Sequence, residues 1–332
     1  MTAETKPNKR PTSFDVAKRA GVSRATVSHV LNGQGSRFPE QTQQKVLQAA
    51  AELQYKPSPA GRALVTGRSD ILVVIIPNTT FGTNLQDLVD SVSTQAARHG
   101  LSVVVRFAGR DTAETLAAIL HFRPVAVVDI GVLSPEDRET LEATGAVAIP
   151  RYRRSPEPEG DLNFLVGRTM AEELLRCGPR RLAFAALVDE RQDPFGPPRY
   201  GGMKAAARAH GLPAPERLDI PLKLVGAKAA LEAFAASGSP MGVGCYNDDV
   251  AIAVLAAGRA LGLETPGDLS VVGVDATEVG QLVSPRLTTV LMENDALMAR
   301  IAADLDELHQ KDATQQVYDP RPVVKVVPGE TT

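Results

Sequence analysis

The sequence has no tryptophan, only two cysteines and 4% aromatic residues over its 332 positions. Cys177 and Cys245 lie outside any CxxC pair, so neither a disulfide framework nor a cysteine zinc site is expected, and a reducing, cytoplasmic setting fits. Long apolar runs are also missing. The longest aliphatic stretch, 71–76, is closed by Pro77, whereas a membrane helix needs about 20 apolar residues. The N-terminal MTAETKPNKRPTS lacks the apolar core of a secretory signal. No GxGxxG or P-loop occurs, the nearest approach being Gly242-x-Gly244 without its third glycine. The histidines at 29, 99, 121, 210 and 309 are scattered, and no Ser/His/Asp or Cys/His set stands out. These absences argue against an enzyme, a metal site, a cofactor or a membrane partner. What remains, 43% hydrophobic and 23% charged, is the composition of a folded chain of two or three domains.

Charge is distributed unevenly along that chain. Residues 1–68 carry eleven Lys and Arg against four Asp and Glu, while the rest carry 25 against 35. A basic head on an acidic body points to a polyanion partner for the head alone. The pattern inside the head agrees. Ser13 is placed to cap a helix over 14–20 with Val16, Ala17 and Ala20 on one face. Gly21 supplies a left-handed corner, and Ser23 caps a second helix over 24–31 that buries Val27, Val30 and Leu31. Two short helices joined through a glycine turn make a helix-turn-helix, whose second helix enters the major groove by its N-terminal end. Arg24, Ala25 and His29 are then the candidates for base readout, through guanine, a thymine methyl and a purine respectively. The alternative for His29 is a solvated surface histidine. Ser23, Thr26 and Ser28 suit phosphate oxygens. A third helix over 39–53 starts at Pro39 and offers Val46, Leu47, Ala50 and Leu53 as its packing stripe. The following Pro/Gly-bearing stretch, 55–68, reads by default as a linker, though Ser58 and Pro59 can start a short helix.

From residue 70 onward, Val- and Ile-rich runs alternate with amphipathic stretches. Strands are expected at 71–76, 102–107, 125–129, 147–149, 182–187, 243–246, 270–274 and 323–327. Helices are expected at 85–98, 113–120, 135–143, 166–176, 202–210, 227–236 and 249–261. Asp111-x-x-Glu114 reads as a capping box and Ser134-Pro135-Glu136-Asp137 as an acidic helix start. This alternation implies parallel βαβ units, whose ligands sit beyond the C-terminal strand ends. Asp129 closes one such strand and suits either a ligand acceptor or a loop cap.

The head segments TSFDVAKRAGVSRATVSHVLNG and FPEQTQQKVLQAAAELQYKPSPAGRAL closely resemble the N-terminus of LacI/GalR-type transcriptional repressors. The likeness continues through YNDDVA at 246–251, PGDLSVVGVD at 266–275 and PRLTTV at 285–290, and so covers nearly the whole chain. It implies a small all-α helix-turn-helix head followed by an α/β body. That body would be a two-lobed, type I periplasmic-binding-protein-like sensor with parallel sheets. The corresponding division is a DNA-binding domain at 1–56, a hinge helix or linker at 57–69, and an effector-binding and dimerisation domain at 70–332. Its N-lobe would span about 70–161 and 292–319, and its C-lobe about 162–291 and 320–330. The resemblance adds Thr12 and Asn32 as phosphate contacts, and Arg62 and Leu64 as hinge residues in the minor groove. Gly61, standing before Arg62, lowers helix propensity there by about 0.8–1 kcal/mol relative to alanine. For the effector, Arg199, Asn247 and Asp275 match family ligand positions, Asn78 and Phe81 fall where the N-lobe usually lines the cleft, and Tyr246 and Arg151 are further candidates.

The implied function is repression through a pseudo-palindromic operator on double-stranded DNA. The protein would act as a homodimer, with operator affinity set by a small molecule. An alternative with the same body is a solute-binding protein, which has no use for a basic head. The absence of a leucine heptad after 323–327 favours a dimer over a tetramer. Departures from the family pattern bear on the ligand. Pro150-Arg151-Tyr152-Arg153-Arg154 stands where an aspartate often binds a sugar hydroxyl, Phe164-Leu165 replaces an acidic-polar pair, and Gly178-Pro179 replaces Gly-His. Guanidinium in place of an acceptor favours an acidic or non-sugar effector, unless 151–154 is a basic loop outside the cleft. Asn247 and Asp275 also suit helix caps, and Arg199 a surface arginine.

Overall fold

The computed structural model describes residues 11–31, 35–55, 69–78, 84–109, 111–151, 161–178, 180–188, 193–238, 240–293, 295–309 and 323–332. The chain separates into two compact units, 1–70 with 121–125, and 71–120 with 126–332. The expected hinge up to residue 68, including Arg62 and Leu64, lies outside the described residues, as do Asn32 and Phe81.

In the first unit, α1 (Ser13–Ala20), α2 (Arg24–His29) and α3 (Glu40–Glu52) enclose a core of Val16, Ala17, Val27, Val30, Val46, Ala49 and Ala50. The cap of α1 is Thr12 rather than Ser13. The Asp15 carboxylate accepts both the N–H and the hydroxyl of Thr12, at 2.8 and 2.6 Å, and fixes the start one residue earlier than expected. Gly21 adopts φ +68° at the corner, a conformation that a side chain there would strain. Ser23 caps α2 by accepting the Thr26 N–H at 3.0 Å. Pro39 precedes α3 as its cap instead of opening it, and Leu47, expected in the packing stripe, is 53% exposed while Ala49 packs inward. The helical phase set by Val46 and Ala50 turns Leu47 outward. Residues 121–125 join this unit through the Ser69 hydroxyl, which donates to the Phe122 and Arg123 carbonyls.

The second unit contains two sheets. The elements of the first are β1 (Ile71–Ile76), α4 (Asn84–Arg98), β2 (Ser102–Phe107), α5 (Thr112–Leu120), β3 (Ala126–Asp129), α6 (Pro135–Ala143) and β4 (Val147–Ile149). They form a four-stranded parallel sheet of order β2-β1-β3-β4. Its interior strands are apolar on both faces, as βαβ crossovers require. The second run comprises α7 (Leu162–Arg176), β5 (Arg181–Leu187), α8 (Gly196–Ala209), β6 (Glu216–Ile220), α9 (Leu224–Ala235), β7 (Met241–Cys245) and α10 (Asp248–Ala260). It continues with β8 (Leu269–Val274), α11 (Glu278–Leu282), β9 (Thr288–Glu293), α12 (Asp295–Asp306) and β10 (Val323–Val327). Here the sheet order is β10-β9-β8-β7-β5-β6, parallel except for β10 against β9.

Two strands, β6 and β9, escape the sequence pattern. β6 is an edge strand, ERLDI, with only Leu218 and Ile220 buried. Three charges in five residues conceal its alternation. Helices α7 and α8 begin four and six residues earlier than expected. Asp161 caps α7, accepting the Asn163 and Phe164 N–H groups, and Asp193 accepts the Gly196 N–H at 2.6 Å. Pro197 and Pro198 therefore sit in the first turn of α8, where no amide hydrogen is required.

Candidate functional site

Two arrangements stand out, one in each unit. In the head, the α2 corner buries Val27 and leaves Arg24, Ala25 and Ser23 exposed on the outer side of the helix start. Thr26 and Ser28 are half-buried, and the Ser23 and Thr26 hydroxyls lie 2.9 Å apart. His29 ends the helix half-buried, its ring centroid 6.1 Å from that of Phe38. Thr12 is exposed at the start of α1. The surface so formed presents one guanidinium, one methyl and several hydroxyls beside a helix N-terminus, a combination suited to phosphate and base-edge contacts.

In the body, polar side chains gather at the C-terminal strand ends of the six-stranded sheet. The close approach of α7 and α8 creates this geometry. A Cβ at Gly167 would lie 1.8 Å from the Arg199 carbonyl oxygen, and one at Gly202 would lie 1.9 Å from that of Phe164. Only glycine at both crossings lets Arg199 reach across. Its side chain is 3% exposed; Nε donates to Asn163 Oδ1 at 3.0 Å and Nη1 to the Tyr246 carbonyl. The guanidinium also lies over the Phe195 and Tyr246 rings, at 5.6 and 5.3 Å. Burial lowers its pKa from the ordinary value, against the opposing pull of Asp275, Tyr246, Asp193 and Asp161.

Asp275 follows β8 at φ +104°, with Ala276 at φ +51°. Left-handed backbone costs about 1–2 kcal/mol per non-glycine residue, so this turn is held by its surroundings. Burial pushes the Asp275 carboxyl up to about 6; Arg199 draws it down, while Asp248 and Asp249 raise it further. A carboxylate poised in this way can accept hydrogen bonds from a ligand and change charge near neutral pH.

Other expected ligands have different partners. Asn247 is buried and caps α10, its Oδ1 accepting the Val250 N–H at 3.0 Å. Tyr246 is buried and supplies its carbonyl and ring to Arg199. Asn78 is half-buried just after β1. Arg151 leaves β4 with its N–H bound to Asp304 Oδ2 at 2.7 Å and its guanidinium 3.6 Å from Glu307. Asp129 caps the loop after β3, accepting the Val132 and Leu133 N–H groups and Arg138 Nη1. Asn163, Asp161 and Asp193 carry no motif along the chain. Their signal was the pair of early helix starts, visible only as Asx caps ahead of Phe164 and Gly196.

Among the described residues, no group of three or more His, Cys, Asp or Glu could hold a metal ion, and no helix is long and apolar enough to cross a membrane.

Residues 14–58 match the model of bacterial regulatory proteins of the lacI family, and residues 171–332 match that of a periplasmic binding protein-like domain. The HTH-type transcriptional regulator DegA of Bacillus subtilis (strain 168) is 27% identical over 335 residues, covering 95% of this chain and 97% of its own. The HTH-type transcriptional repressor PurR of Vibrio atlanticus is 28% identical, over 93% and 96%. Among solved structures, a lac repressor dimer bound to operator and the anti-inducer ONPF superposes with a TM-score of 0.69 at 23% identity, over 97% of this chain and 99% of that one. A Lacl family regulator from Silicibacter pomeroyi gives 0.71, also at 23%, over 97% and 99%. The head motif, the two-sheet body and their order on one chain agree with these relatives, and the chain joins a lacI-family DNA-binding head to a periplasmic binding protein-like domain.

Proposed function

We propose that this protein is a sequence-specific transcriptional regulator, a repressor that binds a pseudo-palindromic operator as a homodimer and responds to a small effector. The carrying observation is the exposed start of α2, where Arg24 and Ala25 project from a corner locked by Gly21 and the Val16–Val27–Val46 core. Naming of full-length relatives as HTH-type transcriptional regulators supports the reading. Arg24 and Ala25 read bases, with His29 at the far end of the helix. Thr12, Ser23, Thr26 and Ser28 hold phosphates. The reading assigns no reaction to the protein.

The effector binds at the ends of β7 and β8, where Arg199, held by Asn163 and the Tyr246 carbonyl, interacts electrostatically with Asp275. An acidic effector, one of the sequence expectations, fits poorly. Arg199 is surrounded by Asp275, Asp193 and Asp161, and Arg151 faces Glu307. A ligand offering hydroxyl or other donors to Asp275 suits the site better. The homodimer would cover aliphatic side chains left open on the six-stranded half, chiefly Val225 on α9 and Leu282 on α11, 84% and 83% exposed.

Selection of bound sequences from randomised duplex DNA, at a stated salt concentration, tests the proposal; an enriched pseudo-palindrome is expected. On that operator, Arg24→Ala should cost about 1–3 kcal/mol and relax preference at one base pair of each half-site. Equal loss on every sequence would make Arg24 a phosphate contact, and absence of any enrichment with or without added metabolites would overturn the regulator reading.

A further inference from the structure

Beneath the Asp275 turn lies a carboxylate that the reading above does not use. Asp248 opens α10 and is fully buried. Its Oδ1 accepts the Thr289 hydroxyl at 2.6 Å, and its Oδ2 accepts both the N–H and the hydroxyl of Thr277, at 2.7 and 3.0 Å. These two threonines bracket the left-handed pair. Thr277 follows Ala276 directly, and the Thr289 oxygen that donates to Asp248 also accepts the Ala276 N–H at 3.2 Å. The Asp275 N–H is fixed separately, to the Val290 carbonyl at 3.0 Å.

Space for this carboxylate is reserved. A Cβ at Gly273 would stand 2.2 Å from Asp248 Oδ1, so any side chain on that part of β8 would displace it. Its chemistry is also particular: three donors converge on two oxygens. An amide in its place would turn an NH2 toward at least one of those donors and leave it without an acceptor. Burial raises the Asp248 pKa, and the three hydrogen bonds oppose that rise.

We propose that Asp248 is the positioning residue of the strand-end site: through Thr289 and Thr277 it holds the Asp275–Ala276 turn left-handed and so keeps the Asp275 carboxylate facing Arg199. Its consequence for ligand binding rests on the proposed effector site, but its test needs no effector. The charged groups acting on Asp275 are Arg199, Asp248 and Asp249, so its titration reports where the turn places it.

The experiment is carboxyl 13C NMR titration of the full-length protein, with Asp275→Asn identifying the resonance. The Asp275 midpoint is expected near the value of about 6 set by burial. In Asp248→Asn and in Thr289→Val it should fall by about one pH unit or more, toward the ordinary aspartate value of about 3.9. Thr289→Ser, which keeps the hydroxyl, should restore the wild-type midpoint. Asp248→Asn also removes a neighbouring charge, whereas Thr289→Val leaves that charge in place and isolates the positioning effect. It also decides the matter if Asp248→Asn does not fold. An unchanged midpoint in folded Thr289→Val would overturn the proposal, as would a Thr289→Ser variant that behaves like the valine. A normal effector response in Asp275→Asn would instead sink the effector site and leave Asp248's role standing.

Discussion

Both sheets of the body end in aspartates and arginines, but they use them in opposite ways. Beyond β3 and β4 the buried charges are compensated close at hand. Asp129 takes two backbone N–H groups and Arg138, while Asp304, fully buried, takes the Arg151 N–H and the Arg300 guanidinium. Beyond β7 and β8 the cost of burial outweighs the charge compensation. Arg199 is buried among aromatic rings, and Asp275 stands on left-handed backbone with its carboxyl pushed up to about 6. Charges at the first edge hold the fold together. At the second, the fold holds the charges in a state they would not adopt alone, which is a mark of a functional site.

The largest effect that separates the two edges is expected at the first. Asp304→Ala leaves the buried Arg300 and the Arg151 N–H without their acceptor, and should destabilise by about 3–5 kcal/mol in chemical denaturation. A loss below about 1 kcal/mol would mean that this network is not structural. Next comes Gly202→Ala. Its methyl cannot share the crossing with the Phe164 carbonyl, and about 3 kcal/mol of stability should be lost, Arg199 moving with α8.

Asp275→Asn should act in the opposite direction. With its pKa raised when folded, this carboxyl holds its proton more tightly in the native state than in the unfolded chain, where about 3.9 applies. Its favourable contribution is complete below about pH 4 and is lost as pH rises toward 6. Ionised Asp275 is therefore a net cost at pH 7.5, and the asparagine variant should be about 2–3 kcal/mol more stable there, with a gain that shrinks toward pH 4. Urea melts at pH 4.5 and 7.5 read this directly; a destabilised variant at pH 7.5 would remove the contrast between the edges. The smallest effect is expected from Glu307→Gln. Its ion pairs with Arg151 and Arg300 are long, at 3.6 and 3.8 Å, and partly solvated, so the change should stay below about 1 kcal/mol.

Much of this fold could be read along the chain. The helical spacing of Val16 and Ala20, of Val27 and Leu31, and of Val46 and Ala50, with the Gly21 corner and the Ser23 cap, places the head helices to within a residue or two. The runs 71–76 and 323–327 coincide with β1 and β10. What failed locally were boundaries that depend on side chains folding back, as with Thr12 and Asp15, or Asp161 and Asp193. β6 also escaped, because an edge strand needs only two buried residues. The site was less legible. Arg199 and Asp275 came from the family likeness, but Asn163 meets Arg199 from 36 positions away, and Thr289 meets Asp248 from 41. No local pattern marks such pairs.

Sequence by itself therefore determined the basic head, the exposed face of its second helix and the alternation that yields parallel sheets, because each depends on neighbours within about ten residues. Tertiary structure alone decided that Arg151 belongs to a structural network and Arg199 to a poised one. It also decided that Asn247 is a cap and that Asp275 rests on a turn braced by a buried carboxylate. The reason is physical: whether a charge is neutralised, desolvated or strained depends on which distant backbone and side-chain groups the packed sheet ends bring within hydrogen-bonding distance.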